Sequence, residues 1–128
     1  KPFFTVGAFA TSRSFKRGDL VKLSRGVDDL GGGLNGDILL ADGSAVTGRT
    51  AKCGEPLSVK AVPAPGFRFN KLVIRHGRNI DGNAPGDWTE TVVTADRFNN
   101  GTYTIPANVI DGDLRFVPYF SSVAAEVK

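Results

Sequence analysis

Hydrophobic and polar residues alternate along much of this chain with the period of a β-strand. In Leu57–Ala61 the apolar Leu57, Val59 and Ala61 are separated by Ser58 and Lys60, the pattern of a strand with one buried face. Pro63, Pro65 and Gly66 then interrupt it. Proline fixes φ and offers no ladder donor, and glycine takes conformations that other residues avoid. A second run follows, with Phe67 and Phe69 on one face and, further on, Leu72 and Ile74 on one face. Aromatic rings so close to a turn are expected to plug the end of a β core, where their burial dominates the energetics.

Similar signals recur in both directions. Residues 1–10 and Asp19–Ser24 read as short strands, with Lys16–Asp19 as the turn before the second. Asp37–Ala41, Ala45–Ala51, Thr89–Thr94, Thr102–Ile105 and Leu114–Phe120 also read as strands, the last two closing the sheet through Asp111–Gly112. Pro118 predicts an edge position or a bulge. Asn35–Gly36, Asp42–Gly43, Asp81–Gly82, Asn100–Gly101 and Asp111–Gly112 are the pairs favoured in two-residue hairpins, where both central residues need positive φ. Residues 76–88 read as a polar, glycine-rich loop, and only Arg25–Leu30 and Val123–Lys128 are compatible with helix. The expectation is a single all-β domain of about eight short, mainly antiparallel strands, arranged as a sandwich or a β-grasp-like sheet. Leu30–Gly36 carries four glycines. It reads either as a long hairpin loop or as the boundary between an extension (1–34) and a β module (35–122) with a short tail (123–128).

Composition narrows the function classes. A chain of 128 residues, 41% hydrophobic, is long enough for one real core. The net charge of +3 is mild and the basic residues are scattered, whereas a nucleic-acid face needs a denser stripe. The apolar runs are far shorter than a membrane span. Cys53 is the sole cysteine, which excludes an intrachain disulfide and any Cys/His zinc spacing. The chain begins with Lys1 and contains no methionine, so it reads as a mature or excised piece of something longer.

The order GEPLSVKAVPAPGFRF, then YTIP, then DGDLRFVPYF resembles the bacterial surface repeat modules related to internalin B-repeats. Gly54, Leu57, Val59, Ala61, Pro63, Gly66, Phe67 and Phe69 fit the first part of that pattern, and Tyr103, Ile105, Asp113, Leu114 and Phe120 the second. The likeness spans roughly residues 37–120 in a single copy. Leu72 stands near the position of the family's Trp, and His76–Thr94 is a longer insertion than such repeats carry. The resemblance implies a small β module in a secreted or surface-anchored bacterial protein, commonly an adhesin or a multidomain polysaccharide-degrading enzyme. Its partners would be the other domains of the parent protein, glycans or a surface protein. Family members generally lack catalysis, so no catalytic residue is carried over.

The residues themselves point the same way. His76 is the only histidine, which excludes multi-histidine metal sites. The serines lack a G-x-S-x-G elbow and Cys53 lacks a nucleophile's sequence context. Ten of the thirteen acidic residues are aspartates, several of them before glycine or beside Asn, where turn chemistry accounts for them. No cofactor is predicted. Asp81, Asn83 and Asp87 share one loop and are the residues that would offer oxygens to calcium, although the D-x-D-x-D-G spacing is absent. Carbohydrate binding is the alternative function. Trp88, the sole tryptophan, follows a Pro–Gly loop and is flanked by Asp87 and Glu90. It would stack on a sugar ring, with Arg75, His76, Arg78, Glu90 and Tyr103 supplying polar contacts.

Overall fold

The computed structural model describes residues 15–78 and 89–123. Among them are strands β1 (Leu20–Arg25), β2 (Gly36–Leu40), β3 (Thr50–Lys52), β4 (Leu57–Pro63), β5 (Phe67–Arg78), β6 (Thr89–Thr94), β7 (Thr102–Ile105) and β8 (Asp113–Ser122). They form a five-stranded sheet in the order β3-β1-β8-β5-β6 and a three-stranded sheet in the order β2-β4-β7. The fold is all-β, as the sequence predicts. Every described pairing is antiparallel except β1 with β8.

The phase change within β5 has a structural cause. Phe69 pairs with Phe120 and Lys71 with Tyr119, so Asn70 is an extra residue that the partner strand does not match. Such a bulge shifts the inward face by one position. Before it the inward side chain is Phe69; after it they are Leu72, Ile74 and His76. Leu72 and Ile74 join Leu114 and Phe116 of β8, Val21 and Leu23 of β1, and Ile38, Val59 and Ile105 of the smaller sheet in one core cluster. Of the two rings expected to plug the core, Phe69 does so, 4.6 Å from Phe98 and 5.6 Å from Phe120 between centroids, whereas Phe67 is half-buried and stands outside the core cluster.

The stiff turn at Pro65–Gly66 also forms. Phe67 N–H donates to the Ala64 carbonyl at 3.0 Å and Gly66 takes φ of 86°, the geometry of a type II turn with Pro first. Pro63 ends β4 opposite Gly36, beyond the last residue that β4 pairs with β7, so its missing donor breaks no ladder there. Of the described Asx–Gly pairs, only Asn100–Gly101 has both residues at positive φ, 55° and 82°. It closes the β6–β7 connection through reciprocal Asn99 and Thr102 backbone bonds. At Asn35–Gly36 only the Asn is left-handed, and at Asp42–Gly43 only the Gly. There the Asp42 carboxylate instead holds the N–H and hydroxyl of Ser44, a side-chain turn that relieves Asp42 of positive φ.

Several expectations are corrected. Ala45–Ala51 is not a strand: Ala45 makes an isolated bridge to Leu39, Val46–Arg49 is a turn, and β3 begins at Thr50 and pairs with β1. Val46 is apolar because it is fully buried from that turn. β7 and β8 do not form a hairpin, since they belong to different sheets. Their link contains a 3₁₀ turn at Ala107–Val109, whose Val109 and the following Ile110 enter the core. Arg25–Leu30 is not helical, because Arg25 ends β1 and Gly26 N–H donates to the Phe116 carbonyl.

The polar segment from His76 does not begin as a loop, for β5 continues to Arg78. Pro118 lies in a central strand, yet the β1 ladder stops at Phe116, so its missing N–H falls where β8 has no strand beside it on that side. The glycine-rich segment connects β1 to β2, and Gly33 N–H donates to the Pro118 carbonyl at 2.7 Å. The expected strand at 1–10, the Asp81–Gly82 turn and residues 124–128 of the tail lie outside the described residues.

Deleting Asn70 is expected to turn Phe67 and Phe69 to the wrong face and abolish cooperative unfolding or lower the melting temperature severely. Asn70→Ala, which keeps the count, should shift unfolding free energy by less than about 1 kcal/mol. Leu72→Ala, at a fully buried site, should cost about 2–5 kcal/mol. Denaturant titration followed by circular dichroism measures all three.

Candidate functional site

Alternation along β5, β6 and β8 sends Lys71, Val73, Arg75, Glu90, Val92, Thr94, Arg115, Val117 and Tyr119 to the outer face of the larger sheet. Register aligns them in rows. Arg75 stands opposite Glu90 on one side and Arg115 on the other, and Val73 stands between Val92 and Val117. The Arg75 Nε donates to Glu90 Oε2 at 3.2 Å, with the side chains 36% and 51% exposed. An ion pair so open adds little stability, but it fixes the direction of the guanidinium.

Beyond the Val73 row the Lys71 Nζ lies 4.7 Å from the centre of the Tyr119 ring, within the range of a cation–π contact. The Tyr119 hydroxyl donates to Asp28 Oδ2, and Asp28 Oδ1 accepts the N–H groups of Leu30 and Gly32 at 2.9 and 2.8 Å. The glycine-rich connection is thereby tied to the sheet. The Tyr119 hydrogen bond is the main cause that holds the Asp28 carboxyl below its usual range, helped by the two N–H groups and Arg75 and opposed by burial. Reciprocally, the Asp28 bond and burial push the Tyr119 phenol up to about 12.

His76 occupies the opposite, inward face of β5 and is only 4% exposed. Its Nδ1 lies 2.8 Å from Asp111 Oδ1 and its Nε2 2.9 Å from Thr91 Oγ1. A carboxylate only accepts, so Nδ1 carries the proton toward Asp111, and Nε2 accepts from the Thr91 hydroxyl when the ring is neutral. Hydroxyl, imidazole and carboxylate stand in the order of a proton relay, but the ring sits inside the sheet packing with both nitrogens engaged. The cluster ties β5 and β6 to the segment before β8. Cys53 is buried; burial first, then the charges of Asp111 and Asp19, raise its thiol pKa, which keeps it protonated and unreactive.

The sequence-derived candidates are therefore dispersed. Arg75 and Glu90 meet. His76 lies on the other face of the same strand, and Arg78 is the last residue of β5. Tyr103 stacks on Phe98 at 5.3 Å in the aromatic plug, on the smaller sheet. Trp88, Asp81, Asn83 and Asp87 lie outside the described residues. Among the described residues no group of three or more His, Cys, Asp or Glu side chains is arranged to hold a metal ion. Asp28, Lys71, Thr91, Asp111 and Arg115 are not among the site residues that the sequence suggests. Lys71 and Arg115 could have been found by continuing the strand alternation past the bulge, whereas Asp111 is brought to His76 across 35 positions by the fold alone.

Comparisons with protein-family models, with curated proteins and with solved structures find no match to this chain.

Tyr119 should ionise in the folded chain near pH 12, and spectrophotometric titration should lose that step in Tyr119→Phe. The sign follows from the direction: a phenol raised above its unfolded value contributes stability below about pH 10 that is lost as pH climbs toward 12. Asp28, held low, contributes stability at neutral pH that is lost as pH falls through its folded value. Tyr119→Phe should therefore flatten both limbs of the stability profile. His76→Ala should cost about 1–3 kcal/mol by leaving the half-buried Thr91 hydroxyl without its partner and removing a buried ring, measured by the same denaturant titration.

Proposed function

We infer that this chain is a non-catalytic accessory module, serving as a spacer, adhesion or protein-contact domain in an extracellular or surface-anchored bacterial multidomain protein. The observation that carries this reading is the outer face of the larger sheet. On it the Arg75–Glu90 pair and the Tyr119–Asp28 hydrogen bond stand on either side of a valine row, Val92–Val73–Val117, whose Val73 and Val117 are buried. A face whose side chains are already ordered loses little rotamer freedom on meeting a partner. The burial of His76, the only histidine, supports the absence of a reaction. The resemblance to internalin-type repeats supports the bacterial surface setting, with the other domains of the parent protein, or a surface protein, as the partner.

The purified chain should turn over no member of a panel of chromogenic esters and glycosides. Turnover that disappears in His76→Gln would overturn the non-catalytic reading. On a broad glycan array the spacer reading expects no binding. Binding that Trp88→Ala abolishes while circular dichroism is unchanged would replace it with the carbohydrate-binding module.

A further inference from the structure

β6 is the outermost strand of the five-stranded sheet, and among the described residues β5 is its single strand neighbour. Pro118 reveals which β6 backbone groups point outward. Its carbonyl accepts from Gly33 on the side away from β5, so Leu72, its partner on β5, has N–H and C=O turned toward β6. In an antiparallel pair these directions alternate residue by residue. Leu72 thus bonds Val93, and Ile74 bonds Thr91, their partners in register. Glu90, Val92 and Thr94 then direct their N–H and C=O groups to the edge that no described strand covers.

Edge strands in natural proteins are usually blunted by lysine, proline or a bulge. β6, with sequence TETVVT, carries no lysine or proline, and every residue but Glu90 is β-branched. Its register with β5 runs without a break, and Val92 is 51% exposed.

We propose that β6 pairs antiparallel with β6 of a second copy of this chain, about a twofold axis at Val92. In this register Val92 faces Val92 of the second copy, and Glu90 faces its Thr94. All outward-directed residues then fall in pairs that exchange both backbone bonds, which a shift by two residues would not achieve. Charge is complementary as well. Lys71 is the β5 partner of Thr94, so Lys71 of the second copy lies on the same row as Glu90, about 10 Å away at roughly 4.8 Å per strand. The row Arg75–Glu90 thus continues into Thr94 and Lys71 of the second copy, and its symmetry mate repeats on the other side of a Val73–Val92 row. The contact is isologous and closes on itself, joining two five-stranded sheets edge to edge. It requires only β6 and goes beyond the accessory role, with which it neither stands nor falls.

Sedimentation velocity of the whole chain should show a concentration-dependent dimer. Val92→Pro removes an N–H that faces outward and leaves the donors toward β5 in place, and Val92→Lys places like charges at the axis; both should be monomeric with wild-type circular dichroism. Should the proline variant fail to fold, hydrogen exchange on the wild-type chain still decides: the amides of Glu90, Val92 and Thr94 should gain protection as concentration rises. A wild-type chain that remains monomeric up to millimolar concentration overturns the proposal, as does a dimer that survives Val92→Lys or leaves those amides unprotected.

Discussion

Phe67–Arg78 runs antiparallel to Asp113–Ser122, and the other parts of the larger sheet take their positions from that ladder. β1 and β6 flank it, β3 hangs on β1, and the smaller sheet closes over its inward face through Ile38, Val59 and Ile105. Of the two irregularities in that ladder, at Asn70 and between Arg75 and Arg78, the first governs the phase of the core. It lets Phe69 cap one end of the core while Leu72 and Ile74 fill its middle. A β-strand has a side-chain period of two, so a single-residue error here would exchange the core face for the outer face along the rest of the strand.

The same ladder separates two kinds of polar chemistry. Inward, His76 is buried with both ring nitrogens engaged, one by Thr91 and one by the solvent-exposed Asp111, so a buried polar group is retained because its hydrogen bonds are made. Outward, Arg75, Glu90, Lys71 and Tyr119 remain near water and are ordered by contacts with one another and with Asp28. Adjacent positions on one strand, Arg75 and His76, therefore do unrelated work. The accessory reading draws on the outward side, and the edge pairing on the backbone of β6. The inward cluster holds the end of the sheet together.

Pro118 has consequences on both sides of β8. Having no N–H, it can stand in a central strand only because β1 stops two residues short of it. Gly33, from the glycine-rich connection, then uses its carbonyl. The glycines of that connection allow the chain to lie against β8 where a strand would otherwise continue, and Asp28 ties it down through Tyr119.

The all-β class, the limits of β6 and β7, the Pro65–Gly66 turn and the place of Phe69 at the end of the core are legible in the sequence, because alternation, β-branching and turn residues act over a few neighbouring positions. The sequence even carried the bulge, as the change from odd to even apolar positions after Phe69. Which strands pair was decided only by tertiary structure: β7 and β8, close in sequence, lie in different sheets, and β3 pairs with β1 although an Asp–Gly turn precedes it. Strand pairing rewards burial across the whole core, which no local window records. For the same reason His76 passed for a loop residue, and its partners Thr91 and Asp111 stayed invisible. Their meeting depends on how far β5 extends and where the segment before β8 crosses it, and long-range packing sets both.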